Sequence, residues 1–160
     1  MLTREVIGTV LVSLVFLIAG YIFLRVQKRR SSQESTMVKP LDAKDGDLVF
    51  PCMYVATVFA SRPLERVWAF GLGIRGKAEI RSLPDGISIY RQGETSFFVP
   101  FESLPAVERA SATIDRGVER GGLIQIRWWL GNQELITSLR ITTNQEENFS
   151  RLVTLVQEAR

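Results

Sequence analysis

An uncharged apolar run near the start of the chain most limits what this sequence can form. From Val6 to Leu24, over about nineteen positions, there is no charged residue. A helix needs about 20 apolar residues to cross a hydrocarbon core, and it is the one single segment that satisfies its own backbone polar groups in lipid. The run therefore predicts one membrane-spanning helix, whose apolar members include Val6, Leu11, Leu14, Phe16, Ile18 and Leu24.

The charges beside this run distinguish an anchor from a cleaved signal peptide. A signal peptide has a basic start, an apolar stretch of ~7–15 residues and a small-residue cleavage site. Here Arg4 stands beside Glu5, and the run is followed directly by the basic cluster Arg25, Lys28, Arg29 and Arg30. Because cytoplasmic flanks carry the excess of Lys and Arg, we predict a single-pass anchor with its N-terminus outside and its C-terminal domain in the cytoplasm.

The rest of the chain divides into a polar stretch and one domain-sized stretch. We assign residues 1–26 to the anchor, 27–50 to a polar linker and 51–160 to one folded domain. From Pro51 onward there are thirteen Lys plus Arg and twelve Asp plus Glu, so the domain is near neutral although the whole chain carries +3. Nucleic-acid binding needs a basic face, and this charge balance argues against it.

The cysteine and histidine content limits the chemistry that this chain can perform. Cys52 is the one cysteine, so no intrachain disulfide can form, which agrees with a reducing cytoplasmic side. There is no histidine, which removes the commonest metal ligand and the usual base at neutral pH. We find no carboxylate pair or metal-ligand spacing, so we expect no cofactor, no metal and no catalysis.

Beyond the polar stretch, apolar and polar residues alternate with a period of two, which is typical of antiparallel strands. The predicted strands cover 54–60, 77–83, 87–90, 96–101, 105–115, 122–130 and 135–142. The last two form the clearest hairpin, with Trp128 towards the core and Trp129 on the opposite face. The stretch 61–73 fits either a short helix or an irregular loop, and 116–122 reads as a charged loop.

A helix is predicted after the last strand. Phe149, Leu152, Val153 and Val156 follow the spacing of one buried helical stripe, and Thr143 or Asn144 can cap its start. The soluble part is therefore α+β but mainly β, with about seven antiparallel strands closed by a C-terminal amphipathic helix.

This order of elements resembles the pleckstrin-homology (PH) superfold, in particular bacterial PH-like domains. The hairpin over 122–142 and the helix that follows it carry the resemblance. With the N-terminal span and the stretch 69–79, the chain is similar to poorly characterised actinobacterial single-pass PH-like proteins, sometimes labelled export or transporter proteins. The resemblance implies a PH-like barrel at a bacterial cell membrane. One span cannot supply the repeats of a carrier, so the transporter label has no support here.

A glycine-rich motif occurs before the second predicted strand. Residues 71–76 match G-x-G-x-x-G, but a dinucleotide site needs this motif to open a helix, and here a strand is predicted to follow. A flexible connection between strands is the favoured interpretation.

Two sets of residues are candidate contacts for a partner or a lipid. Trp129 beside Arg127 has the character of an interface anchor, unless residues 61–73 cover it. The second set is basic and comprises Arg62, Arg66, Arg75 and Lys77. The basic pattern by which eukaryotic PH domains hold phosphoinositides is absent. We therefore expect a non-enzymatic membrane-tethered module that presents its domain to an unknown protein partner; the alternative is a reader of anionic lipid headgroups.

Overall fold

The first element of the structure, a computed structural model, is a long apolar helix. The structure describes residues 2–110, 112–113, 116–117 and 123–159. Helix α1, Leu2–Glu34, has 33 residues, which corresponds to a length of about 50 Å. The large apolar side chains from Val6 to Val26 are exposed. Within the described part of the chain, α1 is the one helix long and apolar enough to cross a membrane.

Eleven strands follow in the described part of the chain, and nine of them form one antiparallel sheet. They are β1 Leu41–Asp42, β2 Asp47–Phe59, β3 Arg62–Arg66, β4 Gly76–Leu83, β5 Gly86–Arg91, β6 Phe97–Pro100, β7 Ala106–Ala110, β8 Ala112–Thr113, β9 Arg116–Gly117, β10 Leu123–Leu130 and β11 Gln133–Arg140. The order in the sheet is β1-β6-β5-β4-β2-β11-β10-β7, with β3 also paired to β2. Strands β8 and β9 pair with each other.

Strand β2 joins the two halves of the sheet. It pairs with β4 along one side and with β11 along the other, with register shifts in both ladders. It begins at Asp47, earlier than the predicted start at residue 54, because Val49 and Phe50 are buried and extend the apolar pattern towards the N-terminus.

The predicted barrel of about seven closed strands needs two corrections. Short strands β1 and β3 bring the sheet to nine strands, and they occur in stretches that the sequence indicated as linker or loop. The barrel is also open: among the described residues, the terminal strands β1 and β7 do not pair with each other. Tight turns predict neighbouring strands well, but they say nothing about whether the two ends of a sheet meet.

Helix α2, Gln145–Glu158, packs against β2 and β7. Leu152 and Val156 are buried as predicted, whereas Phe149 is partly buried. The predicted side-chain cap is not formed: Asn144 takes a left-handed conformation with φ 46° and makes no capping bond. Instead, the buried Asn148 donates its Nδ2 hydrogen to the Thr143 carbonyl at 2.9 Å.

The polar stretch assigned as a linker packs on the sheet. Helix α1 occupies its first part, and Leu41–Asp42 pairs with residues 97–98 of β6. The Lys44 amide donates to Ser88 Oγ at 3.0 Å, and this hydroxyl donates to the Lys44 carbonyl at 2.8 Å. Of the charged loop predicted at 116–122, residues 118–122 lie outside the described residues, as does Asp115.

Candidate functional site

Several strand connections meet at one end of the sheet, which we call the loop end. They are residues 60–61 after β2, 67–75 before β4, 92–96 between β5 and β6, and 131–132 between β10 and β11. The Ala60 amide donates to the Glu134 carbonyl at 2.9 Å, which ties the first of these connections to the start of β11, just after the last of them. At the opposite end, β2 begins and α2 packs.

The connection before β4 folds back over the loop end. A 3₁₀ turn, Ala69–Gly71, lies within it, and both Phe70 and Gly71 have positive φ, at 54° and 70°. The Thr57 amide donates to the Leu72 carbonyl at 2.8 Å, which holds the connection against β2. Val67, Ala69 and Leu72 are buried in the core. This connection is therefore an ordered part of the fold.

The end of α1 docks on this 3₁₀ turn. Gln33 Oε1 accepts hydrogen bonds from the Trp68 and Ala69 amides, the second at 3.1 Å. Glu34 Oε1 accepts from the Phe70 amide at 2.9 Å and from Arg30 Nε at 2.9 Å. Amides at the start of a helical turn have no partner within the turn, so these side chains satisfy them. We call Gln33, Glu34 and the 68–70 backbone the joint.

A buried arginine supports the joint from within the barrel. Arg91 is 6% exposed, and its Nη2 donates to the Gly71 carbonyl at 2.7 Å and to the Ile74 carbonyl at 2.9 Å. Its guanidinium carbon lies 4.1 Å from the centroid of the Tyr54 ring. Burial lowers the pKa of Arg91, while Tyr54 and Glu94 partly oppose that shift. An arginine remains charged in proteins, so these are charge-assisted bonds.

A chain of hydroxyl groups continues from the joint into the core. Tyr54 Oη donates to the Leu72 carbonyl at 2.8 Å and also contacts Thr57 Oγ1. Thr57 Oγ1 lies 2.7 Å from Thr137 Oγ1, which accepts from Trp128 Nε1 at 2.9 Å. Burial raises the pKa of Tyr54 to about 12, so its hydroxyl stays protonated near neutral pH. The joint therefore rests on a buried polar network, in which Arg91 Nε is the one buried polar side-chain atom near the joint without a hydrogen-bond partner among the described residues.

The structure places all six candidate contact residues near the loop end, but it uses several of them internally. Arg62 pairs with Glu65 at 2.6 Å, and Arg127 pairs with Glu134 at 3.3 Å. Arg66 donates to the Gly73 carbonyl at 3.1 Å. The others differ in exposure: Trp129 is 45% exposed rather than covered by residues 61–73, and Arg75 and Lys77 are exposed.

The predicted spanning and flanking residues lie along α1. Val6, Leu11, Leu14, Phe16, Ile18 and Leu24 are exposed. Of the basic flank, Arg25 and Lys28 are exposed and Arg30 pairs with Glu34. The side chain of Arg29 lies outside the described residues.

Metal binding, thiol chemistry and phosphate binding each need a particular arrangement of residues. No group of three or more acidic or cysteine residues in them is arranged to hold a metal ion. Burial raises the pKa of the Cys52 thiol to about 12, and Glu79 adds to the shift, so this thiol is protonated near neutral pH. Strand β4 begins at Gly76, the last glycine of the motif, so the motif opens a strand and not a helix. A pyrophosphate would find no helix N-terminus there.

Sequence reasoning did not find the joint. Gln33 and Glu34 sit at the polar end of an apolar helix, where such residues are usually solvated, and their partners are backbone amides thirty-five or more positions away in the chain. Arg91 was also missed, since an arginine at the end of a strand usually points to solvent. Arg91 lies on the same face of β5 as Ile87 and Ile89, and this alternation is the one sequence signal that its side chain points inward.

We expect Gln33→Ala to loosen the joint. The Trp68 and Ala69 amides lose their acceptor, which costs about 1–2 kcal/mol for partly buried donors. Amide hydrogen exchange at these two positions should accelerate roughly tenfold, measured on the full chain in detergent micelles. Gln27→Ala, at an exposed position of the same helix, is the matched control. Equal exchange in both variants would show that Gln33 does not hold the turn.

Comparisons with known proteins provide a family match over most of the chain and a weak likeness to solved structures. A family model described as Bacterial PH domain-like matches residues 36–155. No curated protein matches the chain. Among solved structures, one of Vav1 with an allosteric inhibitor has 11% sequence identity and a TM-score of 0.39, covering 87% of this chain and 33% of that chain. This chain thus spans about one third of the Vav1 chain, and at that TM-score the likeness supports no argument.

Proposed function

Because the chain belongs to the bacterial PH domain-like family, we propose that it is a membrane-tethered, non-catalytic module that presents its domain to a protein partner. Domains of this kind typically mediate interactions with proteins or lipids. In this proposal α1 crosses the bacterial cell membrane, its N-terminus lies outside and the domain lies in the cytoplasm. Tethering keeps the domain at high local concentration near membrane partners, so that even a weak contact is effective.

The free edge of β7 is the observation that favours a protein partner. Among the described residues, β7 pairs with β10 along one side only. Beside it, Arg109 pairs with Glu146 of α2 at 2.7 Å and lies 4.3 Å from the Phe149 ring centroid, which holds helix and strand together. An exposed strand edge offers unpaired backbone groups to which an extended peptide can add.

Site-specific crosslinking in intact membranes tests this proposal. A photoreactive side chain replaces Glu108, which is exposed on β7, and in a matched variant it replaces Glu158 at the end of α2. We expect a discrete protein adduct from position 108 that position 158 does not give, and loss of that adduct when a soluble copy of the domain competes. Adducts of equal yield and size at both positions, or none at 108, would argue against a partner at this edge.

A second candidate function is the reading of anionic lipid headgroups. Arg75 and Lys77 favour it, because both are cationic and exposed at the loop end. In that case flotation of residues 30–160, which keep the joint but lack the apolar run, should require anionic lipid, fade with salt and be abolished by Arg75→Glu with Lys77→Glu. Flotation that charge reversal leaves unchanged would exclude headgroup binding by Arg75 and Lys77.

A further inference from the structure

The exposed apolar side chains of the domain are unevenly distributed. The large apolar residues exposed in the described residues after α1 are Val38, Leu41, Leu48, Leu64 and Trp129. Leu48 lies near the start of β2, away from the loop end, whereas Leu41 pairs with Phe98, two positions after the 92–96 connection. The other three, Val38, Leu64 and Trp129, surround the loop end and are 61%, 86% and 45% exposed. We call these three residues the apolar rim.

The rim residues flank connections that are tied to one another. A Cβ placed on Gly131 would lie 3.0 Å from Val38 Cγ2, so Val38 sits at the β10–β11 turn. Gly131 follows Trp129 by two positions, so the turn links these two rim residues. Leu64 lies on β3, which pairs with β2, and the β2 terminus is bonded to β11. The rim residues therefore lie beside connections of the loop end, and the joint holds the end of α1 at this surface of the domain.

The joint limits how far this surface can lie from a bilayer that α1 crosses. Gln33 lies seven positions after Val26, the last apolar residue of the helix, which corresponds to about 10 Å of helix. The polar headgroup zone on each side of a membrane is about 5–8 Å deep. The difference between these two lengths is a few ångströms, which the indole ring of Trp129 can span. A modest tilt of α1 brings the surface still closer to the headgroups.

We propose that the apolar rim rests in the headgroup interface of the same bilayer that α1 crosses. This inference depends on the proposed tether and specifies which surface of the domain faces the membrane. Tryptophan suits that zone because its ring is apolar and its N–H is polar. Glu65 and Glu134, which are next to Leu64 and near Trp129 in space or sequence, pair with Arg62 and Arg127, and this reduces their repulsion of an anionic surface. The partner edge of β7 then remains accessible beside the membrane.

Spin-label depth measurements on the full chain in lipid vesicles test this arrangement. A nitroxide attached through Asn132→Cys sits on the β10–β11 turn and leaves the rim intact, while Leu48→Cys reports the opposite end and Phe16→Cys the span. Buried, protonated Cys52 should take up no label, which the unsubstituted chain verifies. We expect a water-soluble nickel relaxation agent to reach the label at 132 several-fold less than the label at 48. Trp129→Ser with Val38→Ser should remove most of that difference.

Each outcome has a distinct meaning. If the label at 16 lies at hydrocarbon depth while those at 132 and 48 are equally accessible to nickel, the tether holds and the rim inference is overturned. If the label at 16 is itself accessible to nickel, the tether fails and the rim inference fails with it. Protection at 132 that survives loss of Trp129 and Val38 would also overturn the rim as its cause.

Discussion

Leu14→Arg combined with Leu17→Arg is expected to move the protein from the membrane fraction to the soluble fraction. Each arginine at the centre of a spanning helix opposes insertion by about 2.5–3.5 kcal/mol, so two oppose it by about 5–7 kcal/mol. Positions 14 and 17 lie in the middle of the uncharged run, and α1 is exposed there, so no other described segment of the chain shields the added charges.

The measurement is alkaline extraction of membranes followed by sedimentation of the full chain. Leu48→Arg, which adds charge at an exposed position of the domain, is the control and should remain in the pellet. Circular dichroism of the released protein should retain its β signal, since α1 touches the domain mainly at the joint. If the doubly substituted chain resists extraction as the control does, α1 is not the anchor.

Trp128→Ala is expected to reduce the free energy of unfolding by about 3–5 kcal/mol, the usual cost of removing a buried aromatic side chain. Trp128 is 2% exposed and stacks on Phe97 with ring centroids 5.3 Å apart. Its loss also removes the Nε1 donor to Thr137 Oγ1, which lies in the hydroxyl chain beneath the joint. A cavity and a broken polar network thus arise together.

The adjacent residue is a matched control for this prediction. Trp129→Ala removes an equally large side chain from the outer face of the same strand, and surface changes are usually worth less than about 0.5 kcal/mol. Hydrogen exchange of the slowest amides of β2 and β11, in detergent micelles, should accelerate about a thousandfold for Trp128→Ala and little for Trp129→Ala. Similar acceleration in the two variants would contradict the assigned faces of β10.

The sequence predicts most reliably where one local pattern is decisive. The hairpin of β10 and β11 follows from strict alternation around a glycine turn, and the structure confirms it, including the opposite faces of Trp128 and Trp129. The PH-like character of the domain is confirmed by the family match, whereas an actinobacterial origin, the export label and the membrane orientation stay predictions. The role of the six candidate contact residues likewise stays a prediction.

The remaining features depend on contacts between distant segments. Strand β1 has two residues and exists because Leu41 and Asp42 meet β6, which no local pattern reveals. Strand β3 and the 3₁₀ turn lie in a stretch with mixed helical and glycine signals, where tertiary packing decides the conformation. The joint depends on hydrogen bonds between the Gln33 side chain and the Trp68 and Ala69 amides, which lie far along the chain. No local pattern predicts such bonds, so the sequence predicts only a polar linker over residues 27–50.

The position of β2 between β4 and β11 has a consequence for how the chain is synthesised. Thr57 of β2 meets Thr137 of β11 eighty residues later in the chain. At about 5–20 residues per second, β2 waits roughly 4–16 seconds for this neighbour to emerge from the ribosome. During that interval one side of a long apolar strand lacks its native partner, which is a hazard for aggregation. A chain whose first helix is already inserted in the membrane would spend this interval held apart from other nascent copies in the cytosol.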